Sequence, residues 1–104
     1  MNDATKIRAI IFRDGEHWVG QCLEYDIGAQ ASDPKILQER LKMAIRLELQ
    51  TSIEVTGEPF GGIPRAPQVF HDVWNERPDF ATSRVTDVGD GPHGVSLDIA
   101  PVAA

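Results

Sequence analysis

The stretch Lys6-Ile7-Arg8-Ala9-Ile10-Ile11-Phe12-Arg13-Asp14-Gly15-Glu16-His17-Trp18-Val19-Gly20-Gln21-Cys22-Leu23 decides the fold. Two runs rich in β-branched, aromatic and other apolar residues flank Asp14-Gly15. That dipeptide favours a two-residue type I′ hairpin turn, in which both central residues need φ > 0. A turn placed there predicts that Arg13 faces Glu16, Ile11 faces Trp18, Ala9 faces Gly20 and Ile7 faces Cys22. Ile7, Ala9, Ile11, Trp18, Gly20 and Cys22 then share one side of the hairpin, and none is polar. The other side carries Arg8, Ile10, Phe12, His17, Val19 and Gln21, a mixed set. A one-residue slip scrambles this separation, so the apolar side is the core face.

Downstream, residues 27–31 read as a third strand that puts Ile27, Ala29 and Ala31 on the same face and leaves room for a close helix. Ser32-Asp33-Pro34 then supplies a capping acceptor and a proline at the first helical position, where its missing N–H does no harm. A helix is expected to about residue 52. At 100° per residue, Leu37, Leu41, Ala44, Ile45 and Leu49 form its core stripe, with Glu39, Lys42 and Arg46 on the solvent side. Ile36, Met43 and Leu47, spaced by seven and four, form a second apolar stripe. Either later parts of the chain cover it or it is a subunit contact. Residues 6–53 therefore form one unit, an antiparallel three-stranded meander followed by a helix.

From Gly57 the composition changes. Glu58-Pro59-Phe60-Gly61-Gly62-Ile63-Pro64-Arg65-Ala66-Pro67 is a proline-stiffened loop without the Gly-Lys-Ser/Thr ending of a phosphate-binding loop. Residues 68–75 predict a short helix whose Val69, Phe70, Val73 and Trp74 cap one edge of the core. Residues 79–94 read as mobile, and Val95, Leu97 and Ile99 alternate as a terminal strand within residues 95–100. All 104 residues fit one α+β domain with one modest core.

Charge narrows the partners. Ten basic against 16 acidic residues give a net charge of −6 with no Lys/Arg cluster, which argues against direct nucleic-acid binding. An acidic chain suits a basic partner or simply stays soluble. No apolar run is long enough to span a bilayer and no secretory signal opens the chain, so a cytoplasmic location is expected.

Reactive constellations are scarce. His17, His71 and His93 show no metal-ligand spacing. Cys22, the single cysteine, falls on the core face as a small buried hydrophobe. Glu24, Asp26 and Asp72 are the best carboxylates for a divalent ion, but two sit in a turn, where acidic residues are common for conformational reasons. No catalytic residue, metal or cofactor is assigned. The unit is read as built to bind rather than to catalyse.

The segment from Gly15-Glu16-His17-Trp18-Val19-Gly20-Gln21-Cys22-Leu23-Glu24-Tyr25-Asp26-Ile27-Gly28-Ala29-Gln30-Ala31 through Ser32-Asp33 and the following helix resembles the HicB-like antitoxin family. The resemblance covers about the first half of the chain. It implies a β-β-β-α-β antiparallel sheet packed on one main helix, related to part of the RNase H fold without its activity. It implies binding to a small, basic, RNA-cleaving toxin (HicA-like) and assembly into homo-oligomers. Family members commonly add a C-terminal DNA-binding segment. No helix-turn-helix or ribbon-helix-helix pattern appears here, which points to an orphan member without direct DNA contact. The family's Pro-x-Leu-Pro-Gly-Cys stretch is replaced by Cys22-Leu23-Glu24-Tyr25-Asp26-Ile27. The candidate partner-binding residues are Ile10, Phe12 and Val19 on the mixed sheet face, Glu24, Tyr25 and Asp26 in the turn, and Ile36, Met43 and Leu47 on the helix. The alternatives are a metal-dependent nuclease of degenerate RNase H-like fold using Glu24, Asp26 and Asp72, and a dimeric small-ligand or regulatory domain.

Overall fold

In the computed structural model, which describes residues 5–77, 83–88 and 94–102, the first hairpin pairs β1 (Thr5–Asp14) with β2 (His17–Cys22). The turn sits one residue later than expected. Asp14 faces His17, Arg13 faces Trp18, Ile11 faces Gly20 and Ala9 faces Cys22. Gly15 takes φ 63° while Glu16 keeps a negative φ. That is the pattern of a type II′ turn, with glycine at its first central position. Each pairing is therefore displaced by two residues from the expected one, an even shift that leaves every side chain on its expected face.

The meander closes with β3 (Gly28–Ala31), antiparallel to β2. Helix α1 (Pro34–Thr56) follows and runs one turn past the expected end, to Gly57. The Asp33 carboxylate caps its start, accepting from Lys35 N at 2.7 Å and Ile36 N at 3.3 Å. Leu37, Leu41, Ile45 and Leu49 face the sheet and are buried against Ile7, Ala9, Ile11, Cys22, Ile27 and Ala31. Gly20 lets the helix come close: a Cβ there would stand 3.2 Å from Leu41 Cδ2 and 3.5 Å from Leu37 Cδ1.

Residues 57–67 strap the chain from one sheet face to the other. Ser52 Oγ receives the Phe60 amide at 2.7 Å, and the Phe60 ring stacks on Tyr25 with centroids 4.5 Å apart. Asp26 N donates to Pro64 O and Ala66 N donates to Leu23 O, which ties the strap to the β2–β3 connection. Helix α2 (Gln68–Asn75) has the expected bounds but a different place. It covers the mixed face of the sheet, on the side opposite α1, rather than an edge of the main core. Phe70 stacks on Phe12 with centroids 6.5 Å apart, and Trp74 lies beneath Arg8. Val69 stays exposed while Phe70, Val73 and Trp74 are half-buried. Ile10 and Ala100, paired across β1 and the last strand, are buried on this second face.

Two further expectations change. Residues 79–94, read as mobile, contain β4 (Arg84–Asp87), an antiparallel edge strand; positions 79–82 and 89–93 of that segment lie outside the described residues. The terminal strand β5 (Val95–Pro101) pairs parallel to β1, so the sheet is mixed with order β3-β2-β1-β5-β4 rather than antiparallel throughout. The long path through α1, the strap, α2 and β4 returns the chain to the end from which β1 starts, and a parallel pair requires such a crossover. Among the described residues the architecture is α+β, a five-stranded sheet with one long and one short helix.

Candidate functional site

The residues expected to meet a partner separate into three groups. On the mixed sheet face, Ile10 is 1% exposed and Phe12 packs on Phe70. Ile10 is therefore a core residue, and Val19 is half-buried. This chain's own α2 occupies the surface that sequence left open, because the proline-containing strap delivers it there.

The turn residues all make contacts within the chain. Glu24 Oε1 accepts from Arg8 N at 2.7 Å and Oε2 accepts from Arg8 Nε at 2.6 Å. Its carboxylate thus extends the β1 hydrogen-bonding edge while neutralising the guanidinium. Arg8 in turn lies 5.5 Å from the Trp74 ring centroid, and Arg77 lies 3.9 Å from it. Tyr25 stacks on Phe60. Asp26 Oδ1 accepts from Gln21 Nε2 at 2.9 Å and stays exposed. Asp72 Oδ1 accepts from Gln68 Nε2.

Glu24, Asp26 and Asp72 do not converge: among the described residues no group of three His, Cys, Asp or Glu side chains is placed to hold a metal ion. His17 is exposed at the hairpin end, His71 is buried with Nε2 unpartnered, and His93 lies outside the described residues. Cys22 is fully buried, and desolvation, assisted by the nearby Glu24 charge, pushes its thiol up to about 12. A thiol held neutral in this way is a poor nucleophile. Among the described residues no helix is long and apolar enough to cross a membrane.

The third group stands out. Ile36, Met43 and Leu47 are 48%, 57% and 57% exposed on the outward face of α1, opposite its buried stripe. Arg40 lies between them in sequence and donates to Gln30 O at 2.9 Å. Lys42 pairs with Glu39, and Arg46 Nε donates to Val88 O, so these basic side chains bond within the chain. The stripe is thus an apolar strip on a rigid, well-capped helix, and the described part of the chain does not fold over it.

Sequence reasoning missed the Arg8–Glu24–Trp74 cluster, which joins residues far apart in the chain. It also missed a cleft beside the N-terminal turn of α1, whose wall includes Arg84 of β4. The apolar Trp74 face was the one signal for the cluster, and the cleft had none, since its wall lies in the segment read as mobile. Compared with protein-family models, with curated proteins and with solved structures, the chain matches none.

Proposed function

We propose that the chain is a non-catalytic protein-binding module of the HicB-like kind, which uses the outward face of α1 to hold a small basic protein. The observation that carries this reading is the exposed Ile36–Met43–Leu47 stripe. Large apolar side chains aligned on one rigid helix face provide the anchors for helix-mediated recognition. The net charge of −6 favours a basic partner, because complementary fields speed encounter and reject like-charged competitors. The candidate carboxylates support the same reading, since Glu24, Asp26 and Asp72 are engaged by Arg8, Gln21 and Gln68. In line with the resemblance, the partner class is a small RNA-cleaving toxin, and self-assembly is the competing use of the same face.

Co-expression with the product of a neighbouring small basic reading frame, followed by affinity capture, tests the proposal. The partner is expected to co-purify with the native chain and to be lost from Met43→Glu/Leu47→Glu. The variant is expected to keep its unfolding free energy within about 0.5 kcal/mol, as exposed substitutions do. Sedimentation of the chain alone decides the competing use. A dimer that this double substitution dissolves would assign the stripe to a second copy and overturn the partner reading.

A further inference from the structure

Helix α1 packs mainly on β3 and β2, and it reaches the β4 side of the sheet at Arg46, whose Nε bonds Val88 O at 3.2 Å. Near the helix start, a cleft lies between Pro34 and Gln38 of α1 and the ends of β1 and β5 at Ile11, Ile99 and Pro101. This cleft is half open to solvent and has a volume of about 520 Å³, large enough to seat a small molecule.

Its floor is made by Ile11, Ile99 and Pro101, and Trp18 and Pro34 form apolar walls. Polar groups enter from Gln38, Ser83 and Arg84. The strand register fixes the last of these, because Arg84 pairs with Ile99 and so shares its face of the sheet. Arg84 forms no salt bridge with any described residue, whereas the Arg8 guanidinium is matched by Glu24. A guanidinium at the rim of an apolar cleft offers a planar fork of donors that fits a carboxylate bidentately. The Arg13 guanidinium lies 5.9 Å from the Trp18 ring centroid, and the rest of that flat ring, with the Ile11–Ile99 floor, suits a planar apolar body. In a chain with an acidic excess of six, an arginine that no described carboxylate pairs is a locally favourable place for an anion.

We propose that this cleft binds a small planar molecule with an apolar body and one carboxylate, the body against Trp18, Ile11 and Ile99 and the carboxylate on Arg84. The site lies apart from the outward stripe of α1 and does not depend on what that stripe binds.

The probes are 2-naphthoate and its uncharged analogue 2-naphthalenemethanol, titrated into the full chain and followed by the Trp18 indole N–H and the Ile11 and Ile99 methyl resonances. Naphthoate is expected to shift these signals saturably, and the alcohol to bind at least about tenfold more weakly, the value of a charge-assisted hydrogen bond. Arg84→Gln, on an exposed edge strand, is expected to weaken naphthoate about tenfold and leave the alcohol unchanged. Three results would each overturn the proposal: no saturable shift at millimolar naphthoate, equal binding of both probes regardless of Arg84, or shifts centred on Met43 and Leu47 instead.

Discussion

Replacing Gly20 by valine is the sharpest test of how α1 sits on the sheet. A Cβ at Gly20 would lie 3.2 Å from Leu41 Cδ2 and 3.5 Å from Leu37 Cδ1, closer than an ordinary van der Waals contact in the first case. Both leucines are fully buried, so neither tip has free space to move into. An alanine asks Leu41 to yield a few tenths of an ångström. That cost is offset in part by about 0.4–1 kcal/mol from the reduced freedom of the unfolded chain. Valine adds two γ-methyls at the same place, and overpacking of this kind costs about 1–3 kcal/mol. For a domain of this size each kilocalorie lowers Tm by about 4–8 °C. Leu41→Ala alone is expected to cost about 2–5 kcal/mol through the cavity it leaves. The two changes compensate in volume, so the double variant Gly20→Val/Leu41→Ala is expected to be more stable than the sum by about 1 kcal/mol or more. Urea unfolding of the four members of the cycle measures this coupling. Additivity within about 0.5 kcal/mol would refute the seating of α1 on Gly20.

Other perturbations probe the remaining contacts. With its thiol pushed up to about 12, Cys22 has about one thiolate in ten thousand at pH 8; disulfide reagents are expected to label it at the rate of opening, and rapid labelling in the native state would contradict its burial. Because that folded value lies above the ordinary 9.0, the stabilisation tied to the neutral thiol is complete below pH 9.0 and declines as pH rises toward about 12. Cys22→Ala is expected to flatten this alkaline limb in a pH series of unfolding. Asp33→Ala removes both cap bonds and is expected to cost about 1 kcal/mol in thermal unfolding, with asparagine restoring most of it. Glu24→Ala leaves Arg8 half-buried without its carboxylate and is expected to cost about 1–2 kcal/mol after allowance for the solvent exposure of the pair. A loss of partner capture by Glu24→Ala without loss of stability would return that residue to the binding surface.

Much of the local geometry was legible because it depends on periodicity. Ile7, Ala9 and Ile11 alternate, Leu37, Leu41, Ile45 and Leu49 recur at helical spacing, and these patterns name the faces that bury together. The hairpin register was harder. Asp14-Gly15 and Gly15-Glu16 are both acceptable turn pairs, and they differ by an even shift that side-chain alternation does not detect. The direction of β5 was hidden for a related reason, since Val95, Leu97 and Ile99 alternate identically in a parallel or antiparallel pairing. Helix α2 declared its apolar residues but not which side of the sheet they cover; Ile10 and Phe12, read as a partner surface, were the complementary half of that contact. Four residues, Arg84 to Asp87, are too short and too polar to announce a strand without the neighbour they pair with. On the candidate site, the exposed stripe of α1 was visible as spacing alone. The cleft needs the β4 register, which no local pattern carries.

The strand order has a consequence for synthesis. Strand β5 is the last strand in sequence yet lies between β1 and β4. A chain leaving the ribosome at about 5–20 residues per second makes β1 and β2 early. The backbone groups of β1 on its other side then await a partner until residues 95–101 emerge. An unpaired edge carrying Ile7, Ala9 and Ile11 is an inviting template for other nascent chains. Any stalled or truncated product lacking β5 is exposed on the innermost strand of the sheet, and aggregation of such fragments should begin there.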